Sequence, residues 1–444
     1  METAARATLS PARSWGPRIL LAAFALVSLW LAAAPAVAQS QIVLATVGGS
    51  PDWLLGVFRF AGAQSLASSD AGWIYYGVLM LAMLLYAGLV WQAQALTLRL
   101  VWTAVIGLHV VFLLAPPLLS QDVFSYIAYA RLGVVHELNP YAYRPFDIPQ
   151  DPVFGFAGSK DAVNVYGPFF ALLTYPLAWL PVASAFWVLK SLAMAASLAL
   201  IYLVGRIAAK IDVEPRRAVA IIGLCPATLV HVVGGAHNEA MVMLIVFAGI
   251  AVSLGVFGAA RAGTGGFVSS LAIGVKASAA VPLPFMLVAA RERSRMFLGM
   301  AAGAALTLLT ALVAFGSDAV GAINLISSNQ DRSSRYSIPH KTVDGIDWLF
   351  GGVDRAATTD VVRGVLLLLL VALVIYLLWR SFRLPDTWIA NAGWATLGVL
   401  VASAWLVPWY LLWLLPFTAL ARNRALTIAT VVFAGYTMAI TIPF

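Results

Sequence analysis

Charged residues are scarce in this chain. Asp, Glu, Lys and Arg together make up 10% of its 444 residues, whereas hydrophobic residues make up 62% and the mean hydropathy is +0.90. A soluble globular protein has about 25% charged residues, which it needs to cover its surface. The composition therefore excludes a soluble globular protein and predicts an all-α protein that crosses the membrane many times.

Cysteine is nearly absent as well. Cys225 is the single cysteine and lies inside an apolar run, which excludes an intrachain disulfide. The net charge of +8 comes from 27 Lys and Arg against 19 Asp and Glu, and many of the cations form short clusters between apolar runs. Such clusters are typical of the cytoplasmic loops of membrane proteins and give no indication of nucleic-acid binding.

The amino end, residues 1–38, contains arginines followed by an apolar run that starts at Ile19. The run has roughly the 20 residues needed to span a bilayer, so it is interpreted as a first transmembrane helix. Ala36 and Ala38 resemble a signal-peptidase site, which makes a cleaved signal the alternative. In both cases the chain after Gln39 is outside.

The positive-inside rule then predicts about twelve or thirteen membrane segments and two large extracytoplasmic loops. The loops comprise residues 119–181 and 316–360. The predicted crossings are 73–91, 100–119, 182–205, 218–233, 241–257, 296–315, 361–379, 388–405, 408–420 and 425–443. No internal repeat is visible.

Two apolar segments do not fit simple crossings. Val165–Pro181 is short and contains two prolines, and a crossing there would put the next basic cluster outside, so it is predicted to lie in the outer interface. Gly266–Ala289 has cations at both ends but the length of one span. It is predicted to form a hairpin bent near Lys276 and Pro282, with Lys276 in a cavity, because broken helices at membrane depth must be buried or line a cavity.

The segment "PPLLSQDVFSYIAYARLG" carries the most informative acid. Its two prolines end the preceding helix, Ser120 is a predicted N-cap, and Asp122 lies in the first turn of a new helix, where the helix dipole favours an anion. Helical spacing predicts an interfacial helix with a polar face made of Asp122, Ser125, Tyr126 and Tyr129. Arg131 falls on the opposite face, so Asp122 is expected to be unpaired.

Several polar residues are predicted to meet at the outer rim. Asp122 is a candidate general base for a hydroxyl nucleophile, and the alternative is an acid that only starts a helix. His237, Asn238 and Glu239 in "GAHNEAM" are candidates to position a sugar acceptor or to ligate a divalent metal. The alternative for these three is a capped loop end.

Cations and aromatic residues complete the candidate site. Lys276 and Lys190 are predicted to hold a lipid phosphate, although Lys190 could instead extend to the interface. Arg335, His340 and Lys341 are candidates for the same phosphate or for lipid headgroups. The aromatic candidates for stacking on sugar rings, with an interfacial aromatic belt as the alternative, are Tyr141, Tyr143, Tyr166, Trp405, Trp409 and Tyr410.

These segments, in this order, resemble the GT-C superfamily of integral-membrane glycosyltransferases, which use polyprenyl-phosphate sugars. The resemblance rests on "SQDVFSYIAYARLG", "NPYAYRP", "VYGPFF", "GAHNEAM", "LAIGVKASA" and "WLVPWYLLWLLP". More narrowly, the chain resembles the bacterial polyprenol-phosphomannose-dependent α-mannosyltransferases. The resemblance implies a GT-C fold, with Asp122 as catalytic base and lysines near 190 and 276 as phosphate ligands.

The expected function is transfer of a hexose, most specifically mannose, from a polyprenyl phosphate to a hydroxyl of an envelope glycan or glycolipid. The reaction is expected on the extracytoplasmic face of the inner or plasma membrane. The sequence has no D-x-D pair, and no cofactor is predicted, although a divalent metal remains an alternative. The rival functions are a transporter or flippase for a lipid-linked sugar and a non-catalytic subunit of a polysaccharide assembly machine.

Overall fold

The computed structural model describes residues 15–37, 71–319 and 334–440. All regular structure within these ranges is helical, and several helices are long and apolar. The prediction of an all-α polytopic membrane protein is therefore confirmed. Ala38 of the signal-peptidase resemblance and residues 320–333 of the second large loop lie outside the described residues.

The α-helices are numbered here in chain order. They are α1 (Trp15–Val37), α2 (Ala71–Gln92), α3 (Leu98–Leu114), α4 (Asp122–Val134), α5 (Pro168–Thr174), α6 (Val182–Lys210), α7 (Pro215–Gly223), α8 (Glu239–Ser253), α9 (Ala262–Leu271), α10 (Leu283–Ala289), α11 (Arg293–Phe315), α12 (Ile338–Phe350), α13 (Arg355–Arg383), α14 (Trp388–Ala402), α15 (Leu411–Leu420) and α16 (Arg424–Ile440). A π-helical segment, Ala227–Val233, follows α7.

Five of these helices are long and apolar enough to cross a membrane, namely α1, α2, α6, α11 and α13. A sixth candidate is the pair formed by α7 and the π-helical segment, which is bent by 51°. Shorter apolar helices, among them α3, α8, α15 and α16, accompany them. The full count of about twelve or thirteen segments depends on these shorter helices and stays a prediction.

Loops rich in arginine meet at one end of the bundle, called here the arginine end. Arg216 donates to the carbonyl oxygen of Leu96 at 3.3 Å, and Arg422 donates to those of Ile211 and Asp212 at 2.7 and 2.6 Å. Helix α3 starts at this end and has 17 residues. Because an α-helix rises about 1.5 Å per residue, Asp122 just beyond α3 lies at the opposite end.

The bent hairpin is present. Helix α9 starts beside α11, since a Cβ on Gly263 would lie 3.3 Å from the carbonyl oxygen of Arg295. The chain then leaves the α-helical conformation in two 3-10 turns, Ala272–Gly274 and Ala277–Ala280, and Lys276 between them is extended (φ −157°, ψ 132°). It returns through α10, so Lys276 lies at the tip of the hairpin.

The segment Val165–Pro181 forms a short helical unit. Helix α5 has seven residues, and a 3-10 turn of five residues, Tyr175–Trp179, follows it. A crossing needs about 20 residues, so this unit is too short to span the bilayer. The long helix α6 follows it immediately, as the basic clusters predicted.

Candidate active site

Asp122 is the first residue of α4, and its position depends on the end of α3. Pro116 and Pro117 follow α3 and prevent its continuation. The Ser120 hydroxyl accepts a hydrogen bond from the Asp122 backbone N–H at 3.2 Å, although the residue flanking the helix is Gln121. Ser120 therefore stabilises the start of α4 from one position earlier than a standard N-cap.

The environment of α4 differs from the prediction. Residues 123–130 are all buried, including Ser125, Tyr126 and Tyr129 of the predicted polar face. The expected polar face is therefore enclosed by protein, since Phe156 of the loop and Phe186 of α6 stack on Phe124 and Phe170 of α5 packs against Tyr126. The interfacial position of α4 stays a prediction. Asp122 itself keeps 30% side-chain exposure at the start of the helix, ahead of the buried residues 123–130.

Asp122 is also not isolated. His237 Nδ1 lies 3.6 Å from Asp122 Oδ2 and 3.9 Å from Glu239 Oε2. His237 and Glu239 both have fully buried side chains. Arg131, as predicted, is no partner of Asp122, since it donates from Nε to both Asp151 oxygens at 2.8 and 2.9 Å.

Glu239 and Lys276 form the second half of the cluster. Glu239 is the first residue of α8, where the exposed N–H groups and the helix dipole favour a carboxylate. Its Oε1 pairs with the Lys276 ammonium, whose side chain is 15% exposed. Asp122, His237, Glu239 and Lys276 therefore form a continuous row of polar groups, called here the polar row.

Two close glycine contacts hold the hairpin tip against the first loop. The Gly167 N–H donates to the carbonyl oxygen of Val275 at 2.9 Å. A Cβ on Gly167 would collide with the Gly274 carbonyl, and a Cβ on Gly274 would collide with the Phe169 ring. These contacts explain why "VYGPFF" and "LAIGVKASA" each carry a glycine within two residues of Tyr166 or Lys276.

Aromatic rings surround the polar row. The His237 ring stacks on Trp409 with centroids 3.7 Å apart and planes at 18°. The Lys276 ammonium lies 5.5 Å from the ring centroid of Tyr166, 4.8 Å from that of Tyr410 and 5.8 Å from that of Trp413. Trp409, Tyr410 and Trp413 are each partly exposed, so part of this aromatic wall is open to a ligand.

The electrostatics suit a proton acceptor. Burial raises the pKa of Asp122 to about 6; the Lys276 ammonium opposes this rise, and the Glu239 carboxylate adds to it. A carboxylate with this pKa is ionised at neutral pH and is more basic than an ordinary aspartate. The site can therefore take a proton from a hydroxyl group near pH 7.

Lys190 lies outside the polar row. Its side chain is fully buried in α6, and its ammonium donates to the carbonyl oxygens of Ala115 and, at 3.3 Å, Pro116. Its ammonium is therefore enclosed by the protein, and the phosphate contact expected for it stays a prediction. The ammonium satisfies carbonyl groups where the prolines end α3.

The remaining predicted phosphate ligands belong to the segment around α12, where each has a nearby partner. The Arg335 guanidinium lies 4.8 Å from the Tyr336 ring centroid. His340 lies 3.7 Å and Lys341 lies 3.3 Å from an Asp344 oxygen. The described contacts do not connect these residues with the polar row, and their phosphate contacts stay predictions.

Two other predicted residues, Tyr141 and Asn238, are buried next to residues of the site. Tyr141 is 5% exposed and donates its hydroxyl proton to the Tyr166 carbonyl oxygen at 2.7 Å, so it packs the loop. Asn238 is 1% exposed and directly precedes α8. Tyr143 and Trp405 are 44% and 41% exposed and have no contact with the polar row among the described contacts.

The sequence interpretation did not single out Trp413, and it named Tyr126 only as part of the polar face of α4. Tyr126 packs edge-on against Tyr166 with centroids 4.9 Å apart, and Trp413 stacks on Tyr410 at 4.1 Å. The signal for Trp413 was its i,i+3 spacing from Tyr410. Within the three described ranges, no group of three His, Cys, Asp or Glu residues is placed to hold a metal ion.

The sequence matches two domain families of known proteins, and the polar row and the aromatic rings around it lie within these matches. Residues 22–292 match the family described as alpha-(1→6)-mannopyranosyltransferase, N-terminal domain, and residues 341–443 match the MptB C-terminal domain. The chain is 27% identical over 388 residues to alpha-(1→6)-mannopyranosyltransferase A of Mycobacterium tuberculosis (strain ATCC 25618 / H37Rv), covering 82% of this chain and 73% of that protein. No solved structure matches the chain.

The polar row lies in the N-terminal match, and Trp409, Tyr410 and Trp413 lie in the C-terminal match. The N-terminal match alone includes more than half of the chain. The chain therefore belongs to the alpha-(1→6)-mannopyranosyltransferase family.

Proposed function

We propose that this protein transfers a mannosyl group from a polyprenyl-phosphate donor to a hydroxyl group of a glycan or glycolipid acceptor. Family membership supports mannosyl transfer. The observation that carries the rest is the polar row, which has a carboxylate at one end and an ammonium at the other, on side chains that are 30% and 15% exposed. A glycosyl transfer from a lipid phosphate needs these two groups.

Asp122 acts as the general base. The acceptor oxygen attacks the anomeric carbon, the bond from that carbon to the phosphate oxygen breaks, and the acceptor proton goes to the Asp122 carboxylate. Its raised pKa supports this role, since a general base works best when its pKa is close to the working pH. The leaving group is already a stable phosphate anion, so no strong general acid is required.

Lys276 binds the donor phosphate. The donor is a phosphodiester with one negative charge, and the released polyprenyl phosphate gains a second charge, so an ammonium beside it stabilises the transition state more than the ground state. The exposure of the Lys276 side chain and its place at the hairpin tip support this assignment. The partly exposed rings of Tyr166, Trp409 and Tyr410 supply flat surfaces for the sugars.

The reaction takes place on the extracytoplasmic side. The arginine end, which the positive-inside rule assigns to the cytoplasm, is opposite Asp122 along α3. The relative from Mycobacterium tuberculosis is named for an alpha-(1→6) linkage. By analogy, the acceptor group is the 6-hydroxyl of a mannopyranose.

The test is a reaction of purified protein in lipid nanodiscs with a panel of polyprenyl-phosphate sugars and a mannoside acceptor. We expect release of polyprenyl phosphate and formation of a mannosylated product with the mannose donor. Linkage analysis of the product checks the 6-hydroxyl. Movement of an intact lipid-linked sugar across vesicles without release of polyprenyl phosphate would instead support a flippase.

A further inference from the structure

We propose that His237 is a positioning residue for Asp122, holding the carboxylate through its Nδ1–H while Trp409 holds the imidazole ring. This inference rests on the proposed role of Asp122 as the base. It differs from the sequence interpretation of His237 as a residue that binds the acceptor.

The burial of His237 argues against direct contact with a substrate. Its side chain has 0% exposure, whereas the Asp122 side chain has 30%. The stack on Trp409, with centroids 3.7 Å apart, covers one face of the imidazole. The backbone at Gly235 packs against the edge of the imidazole ring. A Cβ on Gly235 would lie 3.0 Å from His237 Cδ2.

The neighbours of His237 determine which nitrogen carries the proton. Burial, with His231 and Lys276 nearby, holds the pKa of His237 well below its usual value, so the ring is neutral and has one N–H. Nδ1 faces oxygens of Asp122 and Glu239, at 3.6 and 3.9 Å, and ionised carboxylates can only accept hydrogen bonds. The proton therefore lies on Nδ1.

This tautomer lets one N–H act on two carboxylates. The distances are longer than those of hydrogen bonds, so the interaction is electrostatic attraction at short range. It stabilises the anionic form of Asp122 and keeps its side chain directed toward the polar row. Loss of the N–H should therefore raise the pKa of Asp122 and leave the carboxylate less well oriented.

Other groups also act on Asp122 and must stay constant in a test. The titratable and charged groups that face it are His237, Glu239, Lys276, Tyr126, Tyr166 and Tyr410. None except His237 is changed in the variants below.

The experiment compares His237→Phe with His237→Asn in nanodiscs, using polyprenyl-phosphate mannose and a mannoside acceptor. Phe keeps a ring for the stack on Trp409 but has no N–H, whereas Asn loses the stack but keeps an amide N–H near the position of Nδ1. We expect His237→Phe to lower kcat about tenfold without changing donor KM. It should also shift the acidic limb of the pH–rate profile upward by about one pH unit, because the electrostatic attraction of the N–H for the carboxylate is lost. His237→Asn should keep the acidic limb at the wild-type pH and should have a higher kcat than His237→Phe.

The opposite order would overturn the inference: a normal profile for His237→Phe together with a defective His237→Asn would mean that the ring acts only by packing. Asp122→Asn separates this result from failure of the proposed function. If Asp122→Asn is inactive while His237→Phe keeps the wild-type kcat and pH limb, only the inference about His237 fails. If Asp122→Asn keeps normal turnover, the proposed base is wrong and the inference falls with it.

Discussion

Replacing Lys276 separates its stabilising role from its proposed phosphate contact. Its partner Glu239 has a fully buried side chain, so Lys276→Met leaves a buried carboxylate without its cation. Removal of one partner of a buried ion pair costs about 3–5 kcal/mol, and the 15% exposure of Lys276 favours the lower part of this range. The double variant Lys276→Met/Glu239→Gln removes both charges and should recover most of the lost stability.

Donor binding should not recover in the double variant. A charge-assisted contact contributes about 1.5–3 kcal/mol, so loss of the ammonium should weaken donor affinity about 10- to 100-fold in both the single and the double variant. Lys276→Arg should restore part of the affinity, because the charge remains but its geometry changes. Thermal unfolding in detergent measures the stability, and titration with polyprenyl-phosphate mannose measures the affinity.

Lys190→Met is the matched control. It also removes an ammonium from an apolar segment, but this one is fully buried and donates to the carbonyl oxygens of Ala115 and Pro116. We expect a loss of about 1–3 kcal/mol in unfolding free energy, from the unsatisfied carbonyls, and unchanged donor affinity. Wild-type donor affinity in the Lys276→Met/Glu239→Gln variant would refute the assignment of the phosphate to Lys276.

Two further predictions test the topology and the packing at the hairpin tip. Cysteines replacing Ser159 and Ser334 should react with an impermeant reagent from outside, whereas one replacing the exposed Ser294, between Arg293 and Arg295 at the start of α11, should not. The reverse pattern would invert the proposed orientation. Gly167→Ala should lower thermal stability by about 1–3 kcal/mol and reduce turnover, because its Cβ would collide with the Gly274 carbonyl. Gly155→Ala, whose Cβ would have no neighbour within 4 Å, is the control and should change neither, and equal behaviour of the two variants would contradict the packing argument.

Composition and charge predicted the class of protein and the bent hairpin around Lys276. Hydropathy and clusters of positive charge were sufficient to predict the hairpin. A segment that has the length of one span and cations at both ends must turn back, because both ends belong on the cytoplasmic side. The break at Lys276 followed from the same reasoning. These are properties of single segments in a bilayer and require no knowledge of tertiary contacts.

The environment of each site residue was less accessible to sequence reasoning. Periodicity gave α4 a polar and an apolar face, but it could not show that side chains from α5 and α6 would enclose both. Lys190 and Lys276 look alike in sequence, each being one cation in an apolar run. Their partners, two carbonyls for Lys190 and Glu239 for Lys276, come from other segments and become visible only in the folded chain.

The most direct test of the account is the pH–rate profile of mannosyl transfer for wild type and Asp122→Asn, measured by release of polyprenyl phosphate. Because the pKa of Asp122 is raised to about 6, the base is protonated below that pH, and wild-type turnover should rise through pH 6 and then level off. Asp122→Asn should bind the donor normally but turn over at least about 100-fold more slowly. Near-normal turnover of Asp122→Asn with an unchanged profile would contradict the central claim that Asp122 is the base.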